Sequence, residues 1–181
     1  MKVLGLDVST FTGVAVVEGG GNILYTGEIN YPKLRGMERC GAIAGRVLRI
    51  IEELNPDFVV IENYGFANAN SLATLVEVGT VIRYFLYQEN VPYLVVPPNS
   101  LKKFVTGKGN AAKDQMMMAV LKNWGHESKT NNIADAIGLA MFGLCCSGER
   151  FTAARALCCD EVLKGQPEVA EVIRLAVQKC T

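Results

Sequence analysis

Apolar positions fall into two rhythms along this chain. Residues 2–7 form a short continuous apolar run, while 12–18 and 23–29 alternate, with Gly19-Gly20-Gly21-Asn22 as a hairpin turn signal between them. A helical period follows, carried by Ile43, Val47, Ile50, Ile51 and Leu54 and closed by Pro56. Phe58-Val59-Val60-Ile61-Glu62 reads as a buried strand ending in an acid. Asn70 or Ser71 caps a long helix that runs to about Tyr87, and Tyr93-Leu94-Val95-Val96 is a strand stopped by Pro97-Pro98. The remaining periodicity predicts helices over 100–104, 111–124, 132–144, 151–164 and 167–179. An antiparallel hairpin set followed by right-handed β-α-β crossovers gives an α/β fold: a mixed five-stranded sheet, its first three strands antiparallel, flanked by helices on both faces.

The long helix from Ser71 to Tyr87 carries more apolar residues than one core-facing stripe needs, among them Leu72, Leu75, Val76, Val81, Phe85 and Leu86. Its surplus is expected to meet a second copy of the chain, with Gly79 allowing close approach and Val78 and Ile82 on the outer face. Residues 1–147 form the principal domain and 148–181 a helical extension, whose stripe of Val169, Val172, Ile173 and Ala176 packs on the parent domain or on a partner.

Half of the 181 residues are apolar, enough for one substantial core without staples. No apolar run reaches the roughly 18 residues of a membrane span, and the acid at Asp7 inside the first apolar run is wrong for a secretory signal. The six cysteines form no CxxC pair, which favours reduced, buried thiols over zinc and points to the cytoplasm. Basic and acidic residues balance at 18 each, so overall charge says nothing about nucleic acid. Their distribution says more: between Leu101 and Lys129, Lys102, Lys103, Lys108, Lys113, Lys122 and Lys129 outnumber Asp114 and Glu127 by four. Alone, that stretch is equally a solvated helix face.

It gains weight beside three acids. Asp7 ends the first strand, Glu62 ends the fourth, and Asp135 lies early on an apolar helix. Ligands of open α/β sheets gather beyond the carboxyl ends of parallel strands, where these acids can converge. Carboxylates crowded there repel one another and are costly to bury, and hard divalent cations, Mg²⁺ or Mn²⁺, offset that cost. Two such ions about 4 Å apart activate water and stabilise the leaving oxygen of a phosphodiester. Singly, Asp7 is also a turn residue and Glu62 an exposed strand end; an acid at Asp135 among Ala and Gly is harder to explain structurally.

Four segments carry a family resemblance: Gly5-Leu6-Asp7-Val8-Ser9-Thr10 with Thr12-Gly13, then Val60-Ile61-Glu62, the basic segment from Val96 to Gln115 with Gly107-Lys108-Gly109, and Ala134-Asp135-Ala136. In this order they resemble RuvC-type Holliday-junction resolvases, bacterial or phage members of the RNase H-like fold, over about residues 1–146. The resemblance implies a homodimer that binds a four-way or otherwise branched DNA and nicks two strands with Mg²⁺. It implies Asp7, Glu62 and Asp135 as metal ligands, Lys102 or Lys103 and Lys113 at phosphates near the cut, Lys108 on the DNA backbone, and Tyr64 and Phe66 as stacking aromatics at the crossover. It also implies an Asp or His three residues before Asp135, where this chain has Asn132. That position shares a helix face with Asp135, and an amide oxygen coordinates metal without bringing charge.

Three other readings stand beside this one. An RNase H-like or YqgF-type RNA-processing nuclease uses similar acids and lysines. A junction-binding protein disabled by Asn132 is a non-enzyme alternative. A sugar-kinase lobe of the actin-like type opens similarly but needs a second lobe for which 181 residues leave no room.

Overall fold

The computed structural model describes residues 1–65 and 69–180. Five strands form one sheet in the order β3-β2-β1-β4-β5: β1 is Lys2–Asp7, β2 Phe11–Glu18, β3 Asn22–Asn30, β4 Phe58–Glu62 and β5 Tyr93–Val96. β1 to β3 are antiparallel neighbours, and β1, β4 and β5 are parallel, as the sequence predicts. The turn at Gly19–Gly21 is a single 3-10 turn with Gly20 and Gly21 at positive φ, a conformation that glycine adopts without penalty.

Helices cover both faces. On one side α1 (Gly36–Leu54) and α2 (Ala69–Gln88) pack Cys40, Ile43, Val47, Ile50, Val78, Ile82 and Leu86 against Leu4, Leu6, Val14, Val16, Val59 and Ile61 of the sheet. The other side receives α3 (Pro98–Thr106), α4 (Lys113–Trp124), α5 (Asn131–Cys146), α6 (Ala153–Lys164) and α7 (Pro167–Cys180). Val3, Phe58, Val60, Leu94 and Val96 meet them there. Alternate residues of each strand thus serve opposite cores, the period-2 consequence of the pleat.

Helix α5 lies at the centre of the second face and rests directly on the sheet. A methyl group on Gly5 would lie 2.1 Å from the Ala136 carbonyl oxygen, and one on Gly13 would lie 2.0 Å from that of Asn132. Two glycines on adjacent strands therefore allow backbone to touch backbone and bring the start of α5 down beside the end of β1.

Three expectations change. Val78 and Ile82 do not face outward: they are buried in the α1 face, and with Leu86 they form the i, i+4, i+8 stripe of α2. The outer face of α2 carries Val76, Tyr84 and Tyr87 instead. Gly79 does not await another backbone either, because the Tyr64 hydroxyl fills the space above it. The cap proposed at Asn70 or Ser71 gives way to a helix that already includes Ala69.

The residues after 147 are joined to the same core. Cys158, Cys159, Val162 and Ile173 are buried with α5 and α3, and Arg155 lies over the rings of Phe104 and Trp124. At the sheet margin the side-chain amide of Gln166 donates to the Val95 carbonyl at 2.7 Å and accepts from its N–H at 3.0 Å. The cysteines at 40, 145, 146, 158 and 159 carry free thiols. Among the described residues no helix is long and apolar enough to cross a membrane.

Candidate nuclease site

The strand register explains why the acids meet. Leu6 of β1 pairs with Ile61 of β4, so the next residues, Asp7 and Glu62, sit side by side. Val3 and Gly5 precede Asp7 at period 2, as Phe58 and Val60 precede Glu62, and all four face α5. Both carboxylates thus point toward the helix carrying Asp135. They line one open cleft of about 560 Å³ together with Ser9, Tyr64, Lys102, Lys113, Asn131, Asn132 and Asp135.

Burial dominates the electrostatics. Desolvation raises Asp7 to about 6 and Asp135 to about 7, Asp135 being pushed further by the charge of Asp7. Glu62 rises to about 9, first by desolvation and then by the charges of Asp7 and Asp135. Asp7 and Glu62 are hydrogen-bonded to each other, a contact that lowers Asp7 and raises Glu62. Lys102 pulls Glu62 and Asp135 downward, and Lys113 does the same for Asp7 and Asp135. Both lysines read from the basic segment therefore act on the acids.

Local structure places those lysines. Pro98 starts α3, fixing its first turn at the end of β5, and Lys102 lies one turn on. The Gln115 side chain accepts from the Ala112 N–H at 3.0 Å, closing the first turn of α4 with Lys113 at its start. Gly107, at φ 83°, ends α3 in the left-handed conformation, and Lys108 is exposed in the turn that follows. Lys103 points elsewhere: its Nζ lies 3.4 Å from Glu161 on α6.

The Tyr64 ring lines the cleft but is already engaged, with the Arg83 guanidinium 4.7 Å from its centroid and Gly79 beneath its hydroxyl. It anchors the loop after β4 to α2. Phe66 lies outside the described residues.

Asn132 is held from three sides. Its Nδ2 donates to Glu28 Oε1 at 2.7 Å and to the Phe11 carbonyl at 3.0 Å, and its Oδ1 accepts from Asn131 Nδ2 at 3.0 Å. Glu28 also accepts from the Thr130 hydroxyl at 2.9 Å, while that hydroxyl oxygen caps α5 by accepting from the Ile133 N–H. Glu28 is the site residue that the sequence reading missed. One acid on an alternating, partly exposed strand carries no local signal, and its amide partner lies 104 positions away.

Among the described residues no group of three or more His, Cys, Asp or Glu side chains is arranged to hold a metal ion. The donor set nevertheless fits a hard divalent cation: desolvated carboxylates that repel one another, an amide oxygen, and no cysteine or histidine in the cleft lining.

A mixed sheet in this order, with acids at neighbouring strand ends and a helix crossing over them, defines an RNase H-like α/β protein. The sequence profile of the family described as Crossover junction endodeoxyribonuclease RuvC matches residues 3–143. The chain belongs to that family. It is 33% identical over 161 residues to a crossover junction endodeoxyribonuclease RuvC of Chlorobium phaeovibrioides, covering 83% of this chain and 85% of the relative. It is 30% identical to that of Thermus thermophilus, covering 78% and 92%. Among solved structures, Thermus thermophilus RuvC in complex with a Holliday junction substrate superposes with a TM-score of 0.68 at 26% identity, covering 78% of this chain and 91% of that one. The yeast mitochondrial Holliday junction resolvase Ydc2 shares the fold, with a TM-score of 0.59 at 12% identity over 93% of this chain and 84% of that one.

Proposed function

We propose that this chain is a structure-selective endonuclease that resolves Holliday junctions, and accepts other branched DNA, by metal-assisted hydrolysis of phosphodiester bonds. The observation that carries this reading is the convergence of Asp7, Glu62 and Asp135 with Lys102 and Lys113 on one open cleft. Asp7, Glu62 and Asp135 would hold Mg²⁺ or Mn²⁺, two ions per site, with the Asn132 oxygen as a neutral donor. When bound, the metal supplies Lewis acidity at the phosphate and lowers the pKa of the attacking water.

The protein's own groups do the rest. Protons held by the buried acids would leave to solvent as a cation takes their place, which frees the carboxylates to act as ligands. Lys102 and Lys113 grip non-bridging phosphate oxygens at the cut and hold the strand in line. Lys108 meets the DNA backbone further out, and Lys103 reaches phosphate by exchanging its exposed pairing with Glu161. Such contacts supply affinity and position and carry little sequence information. Symmetric nicking of two strands needs two sites, which a homodimer supplies through one isologous interface; the outer face of α2 is the surface for it. The free, largely buried thiols suit the reducing bacterial or phage-infected host cytoplasm.

A synthetic four-way junction tests the reading. With Mg²⁺ the protein nicks the junction and spares linear duplex and RNA–DNA hybrid. Asp7→Asn cuts at least about a hundredfold more slowly, the scale of losing one charge-stabilising group, while its junction affinity in a gel-shift assay persists. Cutting of RNA alone would favour an RNA-processing nuclease, and binding without cutting would favour a junction-binding form. Normal cutting by Asp7→Asn would reduce that residue to a turn former.

A further inference from the structure

The surroundings of Asn132 are those of an amide and reject a carboxylate. Two acceptors, Glu28 Oε1 and the Phe11 carbonyl, face its Nδ2 at 2.7 and 3.0 Å. Rotating the amide would set its oxygen against both, so these partners fix Nδ2 toward β2 and β3 and turn Oδ1 toward Asn131 in the cleft. An aspartate there would confront the same two acceptors without a proton to offer either, one of them a carboxylate of like charge. Glu28 itself lies outside the cleft lining, yet its charge reaches Asp7. It is also tied through Thr130 to the cap of α5. The carboxylate is thus one strand behind the position that faces the cleft.

We propose that Glu28 is a positioning residue of the metal site: it aims the Asn132 oxygen into the cleft and supplies, from β3, the negative charge that Asn132 lacks, so that the two residues act as one ligand unit. Asn132 is then the native complement of Glu28 and not a disabled acid. The inference rests on the metal-site reading of the cleft. It adds that residues 28 and 132 are coupled and that changing either alone is costly.

Four variants test it, read by thermal melting in metal-free buffer and by calorimetric titration with Mn²⁺. Glu28→Ala releases the amide and weakens Mn²⁺ binding about tenfold or more, the scale for an outer partner of a metal ligand, whereas Glu28→Gln, which keeps an acceptor, retains a larger share of the affinity. Asn132→Asp lowers the metal-free melting temperature by about 2–4 °C, the shift expected of a modest coupling in a domain of this size. The double variant Glu28→Gln with Asn132→Asp recovers that melting temperature, because the glutamine amide donates to the new carboxylate, and it binds Mn²⁺ at least as tightly as the parent. Unchanged Mn²⁺ affinity in Glu28→Ala overturns the proposal. So does an Asn132→Asp variant that melts like the parent, or a double variant no better than Asn132→Asp alone. A parent protein that shows the coupling yet never nicks a junction would sink the nuclease reading and leave this pairing standing; an active nuclease without the coupling would do the reverse.

Discussion

Asp7, Glu62 and Asp135 are each raised above the ordinary carboxylate range, and they move in one direction for one reason, burial beside each other. The metal-free folded chain therefore holds protons that the unfolded chain releases. The stability that these three acids contribute is fullest below about pH 4, where unfolded acids are also protonated, and is lost progressively as pH rises through about 6, 7 and 9. A cation that takes the place of those protons should reverse the trend. Melting temperature in chelator is expected to fall between pH 5 and pH 9, and added Mg²⁺ is expected to raise it more at pH 9 than at pH 5. A flat profile in chelator, or equal rescue at both ends, would show that the acids are separately solvated. These three residues were legible in the sequence because each breaks an apolar context at a strand end or in a helix. Glu28 was not, because a glutamate on an alternating strand looks like any solvent-facing residue until the fold brings Asn132 to it.

The elements show the same division. Strands were legible almost to the residue, since β1 and β4, buried on both faces, read as continuous apolar runs and edge strand β3 alternates. Helix α2 was assigned correctly as an element but wrongly as a surface. Apolar residues occur on nearly all of its sides, so periodicity had no contrast by which to tell Val78 and Ile82, which are buried, from Val76 and Tyr84, which are not. The seat of α5 was invisible for a different reason: Gly5 and Gly13 stand in the first motif, but what presses on them is the backbone of Ala136 and Asn132, far along the chain. Gly13→Ala would push the Asn132 carbonyl away from the sheet and carry Asp135 with it. Overpacking of this kind costs about 1–3 kcal/mol, read as a fall of several degrees in melting temperature, and here the loss of junction nicking should exceed what the stability loss alone removes. A Gly13→Ala protein with normal melting and normal nicking would mean that α5 tolerates displacement.

For the whole molecule, paired cutting hinges on the outer face of α2. Val76→Glu combined with Tyr84→Glu places charge on exposed positions and spares the core. Sedimentation at micromolar concentration should give about twice the monomer mass for the parent and the monomer mass for this variant, which at most nicks one strand per junction. A parent that stays monomeric on a junction and still cuts both strands in concert would refute the arrangement. The far margin of the molecule has a separate liability. β5 ends the sheet, and an uncovered last strand is a template onto which another chain can grow. Gln166 occupies the backbone groups of Val95 as a further strand would, and it comes from beyond residues 3–143 matched by the family profile. The tail thus works as a guard on colloidal behaviour. Gln166→Glu, which can accept from Val95 but cannot donate to it, should leave nicking intact in fresh protein while light scattering climbs faster on storage at high concentration; indistinguishable scattering would show that α7 shields the strand without it.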